Sequence, residues 1–337
     1  MLEHGGRLRA AVAQYGRPLA DWLDLSTGIN PSGWPVPPLP AAVWQRLPED
    51  NDGLEEAAAA YYGNANLLPV AGSQAAIQVL PKLFQKQMLA CATPLYNEHP
   101  AAWLAAGHRV RHLGGGLKRC LNAMTPGIVL CNPNNPTATA YSRGNIVDAA
   151  DQLAKRGGWL LVDEAFADPA PELSVADLAG TAEAPNLMVL RSLGKFFGLA
   201  GIRVGFVLAT PERLASLREL LGPWTVSGPS RAVARLALSD TVWQTQARQQ
   251  LQVASERLHS LLAPLGTVSS SPLFCTLSCE QTAALFEHLA RHAILVRQFP
   301  DLSLLRFGLP GEEAAWQRLG NALAEWRPEQ EKQLTLE

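Results

Sequence analysis

Short apolar runs separated by helix-like stretches constrain this fold more than any other feature of the chain. GIVL (127–130), WLLV (159–162) and LMVL (187–190) are followed by CNPNNPTATA, Asp163 and Ser192, and a further run, VGFVLA, begins at Val204. Runs of this kind have no polar alternation, which marks strands covered on both faces, and the intervening helical segments predict a mostly parallel α/β sheet. The polar residues gather just past the C-terminal ends of those runs, where open α/β sheets bind their ligands.

The chain has 337 residues, more than a typical single domain, of which 47% are hydrophobic and 17% charged, so a large and a smaller domain with a sizeable core are expected. A net charge of −2 without a long basic run argues against nucleic-acid or anionic-membrane partners. The first sixteen residues are interrupted by charges, unlike a signal peptide, and no segment approaches a membrane span. Five scattered cysteines, of which only Cys275 and Cys279 are close and without a histidine cluster, predict no metal site and a reduced, cytoplasmic setting.

Punctuation divides the chain further. An N-terminal arm over 1–30 contains a strand-like LDLS at 23–26, and a proline-rich connector spans Pro31 to Pro40. A helix is expected from Gly53 to near Gly63, another after Ala71-Gly72-Ser73-Gln74 through AAIQVLPKLF, and a long one over about 230–262. Gly222-Pro223 marks a boundary between a large domain, 31–221, and a small α+β domain, 222–337, whose polar tail from Glu329 is expected to fray.

The segment LRSLGKFFGLAGIRVGF (190–206) carries the chemistry. It sets Lys195 in a loop rich in glycine and aromatic residues, poorly placed as a surface charge and well placed as an imine-forming nucleophile. Ser192 and Arg203 flank it as anion-holding groups, a combination suited to pyridoxal 5′-phosphate (PLP), an aldehyde that carries a phosphate. Four further features fit one site. Asp163 is a candidate to keep a pyridine nitrogen protonated, although a carboxylate after a strand is also an ordinary cap. Asn135, in Asn-Pro-Asn-Asn-Pro-Thr, is a candidate for the ring hydroxyl. Gly72, Ser73 and Gln74 open a helix with backbone N–H groups and a hydroxyl for the phosphate. Tyr96 is placed to stack on a flat ring, the alternative being core packing.

In their order, Gly72-Ser73, Tyr96, Asn135, Asp163, Ser192-x-x-Lys195 and Arg203 resemble the fold-type I PLP enzymes over nearly the whole chain. The resemblance implies a mostly parallel seven-stranded sheet in a large PLP-binding domain, a smaller α+β C-terminal domain on which the arm packs, and a homodimer with shared active sites. Within that fold the chain is similar to the histidinol-phosphate aminotransferase branch, and more so to the L-threonine O-3-phosphate decarboxylases of cobalamin biosynthesis. The likeness to the latter rests on His4-Gly5-Gly6, on LDLSTGINPSG (23–33), on Asp163-Glu164-Ala165-Phe166, on RSLGKFF and on Pro223-Trp224. Phe166 stands where the aminotransferases usually carry a tyrosine. Decarboxylation of a phosphorylated amino acid is the activity implied. Arg306, in LLRFGLPG, resembles the arginine that pairs with a substrate carboxylate, a bidentate task. Arg297 and His4 are candidates for the substrate phosphate, and Asn30 for the same pocket.

One departure stands out. Arg46-Leu47-Pro48-Glu49 lies where relatives have Arg-Tyr-Pro-Asp, whose tyrosine reaches a cofactor phosphate across the dimer, and Leu47 cannot make that contact. Two rivals share the motifs: an aminotransferase acting on histidinol phosphate or a related amino acid, and a non-enzymatic PLP-binding module of a transcription regulator. Phe166 and His4-Gly5-Gly6 weigh against the first. The second needs a DNA-binding domain for which the sequence before the arm has no room.

Overall fold

The computed structural model describes residues 4–327; the expected frayed tail from Glu329 lies outside them. The apolar runs form the centre of a seven-stranded sheet. In spatial order its strands are Leu67–Val70, Gly205–Leu208, Leu187–Ser192, Trp159–Asp163, Gly127–Cys131, Met88–Ala92 and Arg109–Leu113. Only Gly205–Leu208 runs against its neighbours, so the sheet is mostly parallel, as the runs imply.

Every residue of the three central strands is buried. Successive side chains point to opposite faces, which divides the core in two. Ile128 and Leu130 join one apolar layer with Leu54, Ala58 and Ile146. Val129 and Cys131 join the other with Ile77, Trp103 and Leu217. Two-sided covering is the reason those strands show no polar alternation.

A four-stranded antiparallel sheet (Arg297–Phe299, Leu304–Gly308, Phe274–Ser278, Thr267–Ser271) forms the C-terminal part together with helices Thr282–Arg291 and Glu313–Glu325. The N-terminal arm attaches there. Leu23–Asp24 pairs in parallel with Ile294–Leu295, and helix Leu8–Tyr15 buries Ala11 beside Trp22, Ala290 and Ala293.

Two helices differ from expectation. The stretch expected over 230–262 is broken into Gly228–Ser239 and Thr241–Leu262 at Asp240. The Asp240 carboxylate accepts from the backbone N–H of Trp243 at 3.0 Å and from the indole of Trp34 at 3.0 Å, so it caps a new helix instead of continuing the old one. Gln244 then donates to the carbonyls of Ala237 and Leu238 that the break exposes. The first of these helices packs on Leu54–Tyr62, with Arg231 bonded to Asp52 and Glu55, although it lies beyond the boundary expected at 222. The helix after Gly72 spans Ser73–Val79 and tightens to a 3₁₀ turn at Leu80–Leu83, where Pro81 lacks the N–H that an α-helix needs.

Candidate active site

The strand ends converge on a cleft of about 630 Å³ between the large sheet, the arm and the C-terminal sheet. Alternation along two adjacent strands sorts their polar residues. Asp163 and Ser192 face the cleft, whereas the neighbouring Glu164 and Arg191 turn inward. Arg191 donates to Glu164 at 2.6 Å and also to Asp168, and Glu164 accepts from the Ser174 hydroxyl and the Val175 N–H. This buried, paired network ties together the two strand ends that present Asp163 and Ser192.

Lys195 follows Ser192 in a tight turn. The Lys195 carbonyl accepts from the backbone of Gly198 at 3.2 Å and of Asn30 at 2.9 Å, and Leu193, Phe196 and Phe197 are fully buried around it. The half-buried amine lies 5.3 Å from the centre of the Phe166 ring. Burial, reinforced by Arg306 and Arg203 and opposed by Asp163, pushes the ammonium down to about 8. An amine so tuned supplies free base near neutrality, which a nucleophile requires.

Asp163 is buried, accepting from Ala165 N at 3.0 Å and bonded to His99 Nε2 at 2.8 Å. His99 was not among the residues expected from the sequence; its one signal is that it falls three residues after Tyr96. Gln74 accepts from the Tyr96 hydroxyl at 3.2 Å and donates to Glu98 at 2.9 Å. Burial and the nearby Glu98 and Asp163 carboxylates push the Tyr96 phenol up to about 12, so it stays a donor.

Gly72 has a positive φ of 74°, and a Cβ there would lie 2.4 Å from Nη2 of Arg203. The glycine therefore leaves the guanidinium in place beside Ser73, the first residue of its helix. Across the cleft, Arg306 donates from Nη1 to Asn135 Oδ1 at 2.5 Å and from Nη2 to the Ser26 carbonyl at 2.8 Å, while its buried Nε has no partner among the described residues. Burial and its cross-strand neighbour Arg297 push Arg306 down to about 10. Arg297 also lines the cleft, and His4 sits at its mouth, bonded to Glu98 at 2.8 Å.

Asn30 is buried beside the lysine turn, where its amide donates to the Phe196 carbonyl at 2.9 Å and accepts from Ser32 N at 2.9 Å, which leaves a second N–H on the same nitrogen. Leu47 is 64% exposed and does not line the cleft of its own chain.

The donor set fits PLP: a depressed lysine for the aldehyde, a buried carboxylate for the ring nitrogen, and an arginine beside a glycine whose positive φ strains any larger residue. The comparisons agree. The family model described as aminotransferase class I and II matches residues 46–319. The threonine-phosphate decarboxylase of Pseudomonas aeruginosa is 50% identical over 96% of this chain and 97% of that protein. That of Sinorhizobium sp is 40% identical over 95% and 97%. Among solved structures, the histidinol-phosphate aminotransferase of Sinorhizobium meliloti in complex with pyridoxal-5′-phosphate matches with a TM-score of 0.81 at 22% identity, covering 96% of this chain and 95% of that one. The L-threonine-O-3-phosphate decarboxylase of Porphyromonas gingivalis matches at 0.75 and 21%, covering 89% and 98%; both show the shared fold. This chain belongs to the class I and II aminotransferase family, on the branch that holds the threonine-phosphate decarboxylases.

Proposed function

We propose that this protein decarboxylates L-threonine O-3-phosphate to (R)-1-amino-2-propanol O-2-phosphate and carbon dioxide, a step that supplies cobalamin biosynthesis. The observation that carries the proposal is the placement of Lys195 in one cleft with Arg203 on the cofactor side and Arg306 and Arg297 on the other. That is a charge pattern for an anionic cofactor and a substrate with two anionic groups. The full-length likeness to threonine-phosphate decarboxylases supports the same reading.

When bound, PLP supplies an aldehyde that the substrate amine joins and a ring that accepts the electron pair left at Cα. In this reading Ser192, Arg203 and the Gly72-Ser73-Gln74 turn hold its phosphate, Tyr96 covers its ring, and Asn135 and Asp163 hold the ring hydroxyl and the ring nitrogen. Asp163 keeps a proton at that nitrogen, and His99 holds the carboxylate in place. Arg306 takes the substrate carboxylate in a two-pronged contact, while Arg297 and His4 take the phosphate. Together the two anchors would fix the orientation of the bonds at Cα, which selects the bond that breaks. Loss of carbon dioxide would leave the electron pair of the C–C bond at Cα for the bound cofactor to accept, and Lys195 or water would return a proton there. The stereocentre that bears the phosphate takes no part. A kcat/KM for L-threonine O-3-phosphate well above that for L-threonine tests the two-anchor reading, and equal values refute it.

The working unit in this reading is a cytoplasmic homodimer with shared active sites. Trp44, Leu47 and Trp224 are 67%, 64% and 60% exposed, and Pro48 and Trp224 border one surface hollow, which favours apolar contact with a second copy. All five cysteines are free thiols, in keeping with a reducing compartment. No helix among the described residues is long and apolar enough to cross a membrane.

A further inference from the structure

Glu98, the first residue of helix Glu98–Ala105, is bonded to two residues that line the cleft, His4 and Gln74, and has none of the roles given above. Its side chain is only 15% exposed, and three side chains converge on it, His4 from the arm and two from successive turns of helix Ser73–Val79. Gln74 and Gln78 approach Oε2 at 2.9 and 3.0 Å, and His4 Nε2 approaches Oε1 at 2.8 Å. The residues after His4 are fastened on the opposite side. The backbone N–H of Gly6 donates to the Ser26 hydroxyl at 2.7 Å, and a Cβ on Gly5 would fall 2.2 Å from the Ser26 carbonyl oxygen. Only glycine lets the arm lie so close. That same carbonyl accepts from Arg306 at 2.8 Å. The arm is thus pinned by its backbone to the loop that holds Arg306, and by the His4 side chain to the wall that carries Tyr96.

We propose that Glu98 is a positioning residue that fastens the N-terminal arm across the mouth of the cleft and so sets where His4 meets the substrate phosphate. The proposal rests on the functional reading above. A terminal segment is poorly ordered unless tied down, and an arm that orders only when substrate arrives subtracts that entropy from affinity. Glu98 ties it beforehand. A carboxylate beside an anion site is itself repulsive, but here three donors are turned toward its oxygens and offset part of that charge. Gln74 also links Glu98 to the Tyr96 hydroxyl, so the arm and the ring-covering residue share one chain of hydrogen bonds.

The test uses PLP-loaded enzyme and two readouts. The first is the rate of tryptic cleavage after the exposed Arg7 and Arg9 of the arm. The second is KM for L-threonine O-3-phosphate. Glu98→Ala is expected to speed cleavage and raise KM by about fivefold each, with kcat nearly unchanged, the scale of one partly exposed charged contact. Glu98→Gln keeps an oxygen for His4 and falls in between. In a double-mutant cycle, Glu98→Ala adds nothing to the KM of His4→Ala, because both act through one contact. Unchanged cleavage with Glu98→Ala, or fully additive KM effects, overturns the proposal. If the wild type releases no carbon dioxide the functional reading falls, while the cleavage rates still decide whether Glu98 holds the arm.

Discussion

His99 Nε2 lies 2.8 Å from Asp163 Oδ2 beneath the cleft, and Nδ1 of the same ring has no hydrogen-bond partner among the described residues. Both side chains are almost wholly buried. Removing the imidazole leaves a buried carboxylate oxygen without its donor, so His99→Ala is expected to destabilise the cofactor-free protein by about 1–3 kcal/mol. Denaturant unfolding measures this, and His99→Asn, which can still donate, recovers part of the loss.

Lys195 gives a pH dependence of definite sign. Its folded value near 8 against the ordinary 10.5 means that the unfolded chain holds the extra proton between those two pH values. The stability of the cofactor-free protein therefore rises as pH climbs from about 8 to about 10.5, and the penalty is complete below that window. Lys195→Met is expected to stabilise this form at pH 7 by about 1–3 kcal/mol, a gain that fades between pH ~8 and ~10.5. Unfolding midpoints across that range check it, and a constant gain at every pH refutes it.

In the proposed reading, Gly72 and Arg203 lie on the side of the cleft that takes the cofactor phosphate. Gly72→Ala strains a residue with φ of 74° and drives its methyl into the guanidinium, 2.4 Å away. PLP affinity is expected to fall by about tenfold or more, on the scale of 1–3 kcal/mol for a strained backbone position. Equilibrium dialysis of the cofactor measures it.

Arg306 separates charge from geometry. Its two outer nitrogens are spread between Asn135 and Ser26, and a lysine keeps the charge without the fork. Arg306→Lys is expected to lower kcat/KM for L-threonine O-3-phosphate by about tenfold to a hundredfold, the 1.5–3 kcal/mol of a charged hydrogen bond. A loss no larger than about twofold removes Arg306 from the carboxylate role.

Much of the fold was legible in the sequence because its signals are local. Three unbroken apolar runs become the three central strands, and Asp163, Ser192 and Lys195 sit at their ends as the pattern implies. Ser73, Gln74, Tyr96, Asn135 and Arg203 come from motifs a few residues long, and the structure brings them to the same cleft. Long-range choices were not legible. Nothing local marks Ser26 as the acceptor for Arg306, 280 residues away, or Glu98 as the meeting point of His4, Gln74 and Gln78. Asn30 is instructive because its motif is local but its partner is not: the amide donates to the Phe196 carbonyl, 166 residues on, next to Lys195. The break at Asp240 has the same origin, since the Trp34 indole that helps to hold it lies 206 residues earlier.

The most direct test of the account gives purified, PLP-loaded protein L-threonine O-3-phosphate with no keto acid present. The account predicts release of one equivalent of carbon dioxide for each aminopropanol phosphate formed, continuing through many turnovers, and its loss in Lys195→Ala. Absence of carbon dioxide, with the substrate's amino group transferred to the cofactor and turnover halting after one equivalent, would contradict it and place the chain with the aminotransferases.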